Sequence, residues 1–449
     1  MQQSTKTEDV FHCPPCGGAL ARIMGGLRCQ RCGTAYPILG TLPCLTSDPT
    51  LWRTIWLRRL DDYSTGIESR IGTLRQQVEG ATGLLPRTRA RLDRLAGGLA
   101  HQLETVAGLF EPLDAETDPL LSSVMPGGAD QGGDAAVLDR YELLFRDWVW
   151  GAPEVEQARD FVAPLLPPHL DRIAVFGQGA GRLAIELHQS RSPARTLSFD
   201  LSPLPLLVAG RLLAGETISL PEFPIEPRSD EDVVLMRELA RPFPVREGFS
   251  LAIADALRPP VRAGSLDAVV TAWFIDDAAA ELPQTAAIIN RLIRPGGWWV
   301  NVGPLRFQGD LARTHTIGEV RDIAAASGFE LAAPSPDDQR DLPVLDSPAS
   351  GAHRTELVFR FAARKTAEAG SVDLTQPLPP WVVNPSHPIA ITPGMVALGR
   401  SSMFTTGVLG MIDGSRSVVD LARELGRAWG VDPTRLQDEL RAFLARIPG

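Results

Sequence analysis

Between Tyr141 and about Lys365, short apolar runs alternate with stretches whose apolar residues recur every three or four positions. "RIAVFGQGAGRLAIELHQ" reads as strand, glycine-rich turn and helix, and "RTLSFDLSPLPLLVAGRLL" repeats strand and helix. "FSLAIADAL" is a further strand, "SLDAVVTAWFIDD" a strand followed by a helix through Arg291, and "GGWWVNVGP" another strand. That alternation predicts an α/β domain, a mostly parallel sheet with helices on both faces. The late run "HRTELVFRFAARK" suits an antiparallel edge strand.

Outside this region the pattern changes. From Leu51 to about Pro112 the spacing of Leu92, Leu95, Leu99, Leu103, Val106 and Leu109 is helical, and it predicts a helical cover on the following domain. "PGGADQGGDAA" (Pro126 to Ala136) breaks the pattern as a linker or loop. After a proline-rich connector, "TQPLPPWVVNPSHP", the chain ends in two or three short helices, with Asp432 as an N-cap before Pro433. The boundaries expected are 1–48, 49–140, 141–366 and 367–449.

Composition narrows the function classes. Hydrophobic residues make up 44% and charged residues 22% of 449, and no apolar run is long enough to span a bilayer. The polar start "MQQSTKTEDV" lacks the pattern of a secretory signal, so a cytoplasmic location is expected. A net charge of -10 and a pI near 5.3 argue against broad capture of nucleic acid or of an anionic membrane.

Four of the five cysteines fall in two CxxC pairs, Cys13–Cys16 and Cys29–Cys32, each followed by a glycine. Two such knuckles can place four thiolates tetrahedrally around one zinc ion, leaving no open position for a substrate. Segment 1–48 is therefore expected to be a ribbon folded on a structural zinc, since its apolar content is too small for a core. His12 is expected at the surface and Cys44 as a small buried apolar residue. The segment also resembles short zinc ribbons of the Trm112 type, through "CPPCGGAL" and "LRCQRCGTAYPILGTLPCL".

The chemistry concentrates in the central domain. Gly177, Gly179 and Gly181 lie between the first strand and its helix, where bare backbone approaches a ligand closely. The second strand ends on Asp200, about twenty residues on, placed for ribose hydroxyls. The third ends on Asp255, placed for an adenine amino group, and the fourth is expected to end on Asp276. Each acid stands at the carboxyl end of a strand, where open α/β sheets bind ligands.

"FRDW" (Phe145 to Trp148), "GQGAGRLA", "AVVTAWFIDDA", "INRLIRPGGWWVNVGPL", "TIGEVRDIAAASGFE" and a terminal "RK" together resemble the carnosine N-methyltransferase (N2227-like) family. The resemblance implies a Rossmann-like class I fold and an S-adenosylmethionine (SAM)-dependent transfer of methyl to an imidazole nitrogen of a histidine-containing molecule. Carried over by position, Arg146 and the glycines would hold the amino acid end of SAM and Arg182 would lock the loop. Asp200 stands where the family has Glu for ribose, Asp255 and Ala256 flank the adenine, and Ala272 joins the cofactor site. Asp276 matches the substrate-contacting acid of the Phe-Ile-Asp motif, with Asp277 as the competing position and, otherwise, the cap of the next helix.

The pattern departs from the family where the acceptor would sit. Phe307 and Gln308 replace a Tyr-His pair, and His353, Arg354 and Glu356 stand where tyrosines would close the pocket. Gln308 and Glu356 are accordingly the candidate substrate contacts beside Asp276. The final helices resemble part of the PqqD-like modules, winged-helix folds that bind leader peptides, so a small molecule or a bound peptide are both expected acceptors. Other nitrogen or oxygen acceptors, and a non-catalytic scaffold, remain the alternatives.

Overall fold

The computed structural model describes residues 11–80, 83–114, 137–177, 179–278, 280–307 and 314–370, together with 411, 416–430, 432–434 and 436. The chain divides into two compact units, Met1–Leu374 and Thr375–Gly449.

The larger unit begins with four short strands, β1 (Leu20–Ile23), β2 (Gly26–Cys29), β3 (Ala35–Leu39) and β4 (Leu42–Leu45). A helix pair follows, α1 (Pro49–Gly80) and α2 (Pro86–Asp114). Next come α3 (Tyr141–Phe145), a π-turn over Arg146–Trp150, and α4 (Ala152–Val162). The α/β core runs β5 (Arg172–Phe176), α5 (Arg182–Arg191), β6 (Arg195–Asp200) and α6 (Pro203–Ala214). A hairpin, β7 (Ile218–Glu222) and β8 (Leu235–Leu239), interrupts it before β9 (Phe249–Ala254) and β10 (Leu266–Ala272). The unit ends with α7 (Leu282–Leu292), β11 (Ile293–Gly303), α8 (Ile317–Ala326), β12 (Phe329–Leu331), β13 (Gln339–Pro343) and β14 (Thr355–Lys365).

The strands pair in the order β1-β2-β3-β4-β9-β6-β5-β10-β11-β14-β12, with β13 also on β14. From β4 to β11 every pairing after the ribbon is parallel, and β14 is antiparallel to β11. Among the five core strands the chain order is 3-2-1-4-5, the expected class I methyltransferase arrangement. It places its switch point beside β5, where β6 and β10 flank it and the chain diverges to both sides. Both faces of β5 are buried, Ile173 and Val175 on one and Ala174 and Phe176 on the other, as a helix-covered parallel strand requires.

Three expectations change. β14 is antiparallel but interior, held between β11 and the pair β12 and β13 rather than at an edge. β10 stops at Ala272, four residues short of Asp276. The ribbon is not a separate bead: Cys44 and Leu45 of β4 pair in parallel with Ile253 and Ala254, which makes it the continuation of the core sheet. The apolar ribbon residues Phe11, Leu20, Leu27, Tyr36 and Leu45 join the hydrophobic core of one sheet face.

The helix pair covers the domain as expected. Tyr63, Ile67, Val106, Leu109 and Phe110 share one apolar core with α6 and with Tyr141, Phe145 and Trp148. Among the described residues no helix is long and apolar enough to cross a membrane. In the smaller unit, α9 (Val418–Trp429) opens on a Ser417–Asp420 capping box, and Asp432 caps the turn after it through Thr434 N–H at 2.9 Å. The Pro126–Ala136 stretch and the proline-rich connector lie outside the described residues.

Candidate active site

Gly177 must be glycine: its φ is +72°, and a Cβ there would stand 2.1 Å from the Ala272 carbonyl oxygen. The turn after β5 thus lies directly on the end of β10. "FRDW" clamps this turn from outside. The π-turn buries Asp147, whose Oδ1 accepts from Arg146 Nε at 2.7 Å and whose Oδ2 accepts from Arg182 N–H, at the start of α5, at 3.2 Å. A carboxylate at a helix N-terminus is favoured by the helix dipole. Trp148 Nε1 donates to the Ala180 carbonyl at 3.2 Å. Arg182 is itself buried, its Nε donating to Glu186 at 2.9 Å and an Nη to the Asp147 carbonyl at 3.2 Å. Its side chain thus ties the start of α5 to the π-turn rather than to the glycine turn itself.

A cavity of about 990 Å³ opens over the switch point. Gly177, Gly179, Ala272, Arg146, Asp276 and Glu356 all line it. Asp200, Asp255, Ala256, Gly181 and Arg182, also expected at the site, do not, and Gln308 lies outside the described residues. His353 stands off as well, bonded to Asp346 at 2.6 Å and Arg228 at 3.2 Å.

Asp276 reaches the cavity through a turn rather than along a strand. Trp273 takes φ of +48°, unusual for so bulky a residue, and reverses the chain straight after β10. Its N–H donates to Val302 and its indole to Glu356 Oε2 at 3.0 Å, so the strained conformer is held from both sides. Asp276 Oδ2 then accepts from Arg306 N–H at 3.0 Å, and the Arg306 guanidinium pairs with Glu356 at 2.6 Å. Burial pushes the Asp276 carboxyl above the usual carboxylate range, against the pull of that N–H. Of five non-glycine residues with φ in the left-handed region among the described residues, three, Arg140, Trp273 and Leu345, line this cavity.

Arg140 was not foreseen. Its guanidinium donates to Asp200 Oδ2 at 2.8 Å and to Asp277 Oδ2 at 2.9 Å, with Asp139 at 3.5 Å. It joins Asp200, at the end of β6, to the acidic turn that carries Asp276 and Asp277. Asp277 is therefore an ion-pair partner, not a helix cap; α7 begins at Leu282, after Glu281. Nothing in "VLDRYELL" marked this arginine, since its partners are distant in sequence.

Asp255 follows β9 directly, and its Oδ1 accepts from Leu257 N–H at 2.8 Å. The ribbon braces this loop: His12 N–H donates to the Pro260 carbonyl at 2.8 Å, and Arg258 reaches Ser47 at 3.4 Å. His12 is thus half-buried with its Nδ1 enclosed, not a surface residue, because its backbone closes onto the core domain. Burial pushes the Asp255 carboxyl above its ordinary 3.8. The native state then holds this proton more tightly than the unfolded chain, so ionisation destabilises the fold. The penalty is complete above the raised value and disappears as pH falls from there toward the unfolded value. Asp255→Asn is expected to raise the thermal midpoint at neutral pH, by a margin that narrows toward about pH 4. A variant that melts lower than the parent at neutral pH would count against this.

The four ribbon thiols lie within 4.8 Å of one another, with Cys13–Cys32 at 3.5 Å and Cys16–Cys29 at 3.4 Å. Arg31 N–H points at Cys29 Sγ, 3.3 Å away. Four sulfurs on tetrahedral zinc at about 2.3 Å would stand roughly 3.8 Å apart, so the donor set fits that ion. Cys44, as expected, is fully buried, and burial pushes its thiol up to about 12.

Residues 225–335 match the family model for carnosine N-methyltransferase. The carnosine N-methyltransferase of Dictyostelium discoideum is 24% identical over 153 residues, 30% of this chain and 32% of that protein. The chain thus aligns with about a third of the length of that curated relative. Among solved structures, the complex of the Haloferax volcanii Trm112 methyltransferase activator with a putative methyltransferase is 16% identical. It covers 52% of this chain and 97% of that one, with a TM-score of 0.35. N-methyltransferase NodS from Bradyrhizobium japonicum, solved with S-adenosyl-L-homocysteine, is 12% identical, covers 51% of this chain and 99% of its own, and has a TM-score of 0.34.

Proposed function

We propose that the chain is a SAM-dependent methyltransferase acting on a ring nitrogen of an imidazole, in a histidine-containing small molecule or peptide. The observation that carries this reading is Asp276: a desolvated carboxylate in the same cavity wall as the Gly177–Gly179 turn, anchored by Arg306 N–H. The family match over 225–335 supports it.

In this reading SAM lies across the carboxyl ends of β5, β6 and β9. Arg146 and the glycine turn face its amino acid end, Asp200 its ribose and Asp255 its adenine, with the 41% exposed Leu201 offering an apolar face beside Asp200. Arg140 must then share Asp200 with the ribose hydroxyls. Methyl transfer is an in-line displacement: a nitrogen lone pair forms the N–C bond as the S–C pair returns to sulfur. Asp276 accepts the N–H of the other ring nitrogen, fixes the tautomer and stabilises the positive charge that develops on the ring. That N–H proton leaves afterwards to solvent. Water is held out by the covering helices α1 and α2.

Cys13, Cys16, Cys29 and Cys32 would hold a structural zinc that stabilises the ribbon. The unit Thr375–Gly449 is a PqqD-like module in this proposal, beginning a few residues later than the expected 367 because Ala367 and Ala369 bond into the larger unit; the capped α9 and its core of Leu421, Ala422, Leu425 and Leu436 are the support, and a leader peptide would be its ligand.

The test is incubation of the full chain with SAM and carnosine, free histidine or N-acylhistidine, read by mass spectrometry. One methyl added to an imidazole is the expected result. Retained SAM binding with no methylated imidazole from any of them would overturn the acceptor, and no binding at millimolar SAM would overturn the enzyme.

A further inference from the structure

Arg140 already occupies the acid that the proposed function assigns to ribose. Its backbone takes φ of +63°, a left-handed conformation uncommon for a long side chain. Tyr141 N–H on the Leu138 carbonyl at 2.8 Å and Leu143 N–H on the Arg140 carbonyl at 3.0 Å hold it there. Arg140 lines the cavity, while its partner Asp200 does not. Both Asp200 oxygens are engaged: Oδ1 accepts from Ser202 N–H at 3.0 Å and Oδ2 from the Arg140 guanidinium at 2.8 Å. A ribose diol that approaches this carboxylate therefore meets an ion pair already made. The two main partners of Arg140 are not equivalent. The Asp200 side chain is 11% exposed and must exchange one donor for another, whereas Asp277, at 56%, stands in water at the rim. Asp139, at 3.5 Å, is a weaker third partner.

We propose that Arg140 is a latch on the ribose position. Without cofactor it bridges Asp200 and Asp277; on binding, the ribose hydroxyls take its place on Asp200 and the guanidinium stays on Asp277. The exchange leaves no buried group without a partner, since hydroxyl donors replace a guanidinium donor and Arg140 keeps a counter-ion. A half-buried charge stripped of its partner is costly, so Asp277 is what makes the release possible. Cofactor affinity is thus limited by a side chain that must give way. Because Arg140 ends on the turn that carries Asp276, cofactor occupancy also reaches the acceptor side through this one residue. The latch regulates the proposed cofactor site and rests on that reading for the role of Asp200.

The test is calorimetric titration of the full chain with S-adenosylhomocysteine, together with crystal structures of the parent chain with and without it. Arg140→Gln removes the competitor, and affinity is expected to rise by roughly five- to tenfold, within the usual range of coupling between sites. Asp277→Asn leaves Arg140 more dependent on Asp200, so affinity is expected to fall by about threefold in the parent and to stay unchanged in the Arg140→Gln background. An arginine with a merely structural role would not produce that non-additivity. The parent structures need no variant to fold: the complex is expected to show ribose hydroxyls on Asp200 and Arg140 on Asp277. Unchanged or weaker affinity in a folded Arg140→Gln variant, additive effects of the two substitutions, or Arg140 still on Asp200 beside bound S-adenosylhomocysteine would each overturn the latch and leave the cofactor reading standing. No binding at millimolar S-adenosylhomocysteine, or a ribose held away from Asp200, would overturn the cofactor assignment and the latch together.

Discussion

Asp276→Ala will lower methyl transfer to an imidazole by roughly 10²–10³-fold, the usual effect of removing a group aimed at developing charge, and will leave SAM affinity essentially unchanged. The separation follows from position. Asp276 hangs on the turn after Trp273, anchored by Arg306 N–H, whereas the proposed cofactor contacts rest on the β5 turn, Asp147, the end of β6 and the residue after β9. Asp276→Asn keeps an oxygen able to accept from Arg306 N–H but loses the charge that stabilises the methylated ring, so it should fall close to the alanine variant in kcat. Asp277→Asn should behave differently: its carboxylate pairs with Arg140, which is tied to Asp200, so its loss should appear mainly in cofactor affinity. Kinetics and SAM titrations on the three variants decide the matter. If Asp276→Ala loses SAM binding in step with activity, the carboxylate belongs to the cofactor and the acceptor assignment fails.

Removing metal from the ribbon, by a strong chelator or by the double substitution Cys16→Ser and Cys29→Ser, should weaken SAM binding at least tenfold, although no cysteine lies near the cavity. Structural zinc sites contribute apparent binding energies of about 10–16 kcal/mol, and small ribbons do not hold their fold without it. Here the loss propagates through backbone. β4 lies beside β9, and His12 N–H holds the Pro260 carbonyl in the loop that follows Asp255. With the ribbon unfolded, that loop loses its brace and Asp255 its position. Elemental analysis should find one zinc per chain, and calorimetry before and after chelation measures the coupling. Full SAM affinity in metal-stripped protein would show that the brace is dispensable.

Much of this was legible in the sequence, and the failures have physical reasons. Alternating apolar runs reported the core strands because both faces of a parallel sheet are buried, and the turn glycines marked where backbones nearly touch, as at Gly177 and Ala272. The four ribbon cysteines lie close in sequence, so their cluster was readable too. The end of β10 was misplaced because Trp273, Phe274 and Ile275 continue an apolar run; the turn is imposed by contacts to Val302 and Glu356, far along the chain. Arg140 escaped notice for the same reason, since an arginine is ordinary until its partners are known; Asp147 lay inside "FRDW", but its partner Arg182 is distant in sequence. The β7–β8 hairpin was missed because twelve residues, rich in proline and acids, separate its two short strands, so their pairing leaves no short-range hairpin pattern.

The junction of β4 with β9 also bears on solubility. β9, "FSLAIA", is an interior strand with four buried residues in succession, and without β4 it would become the open edge of a large parallel sheet. A bare apolar edge of that kind is a template for strand-to-strand aggregation. The ribbon relocates the edge to β1, four residues long and ended by the tight turn at Met24 and Gly25. Its presence in the same chain therefore acts as an edge guard during synthesis and folding, and a fragment that starts after Leu45 should be recovered as aggregate even though it keeps every residue that lines the cavity.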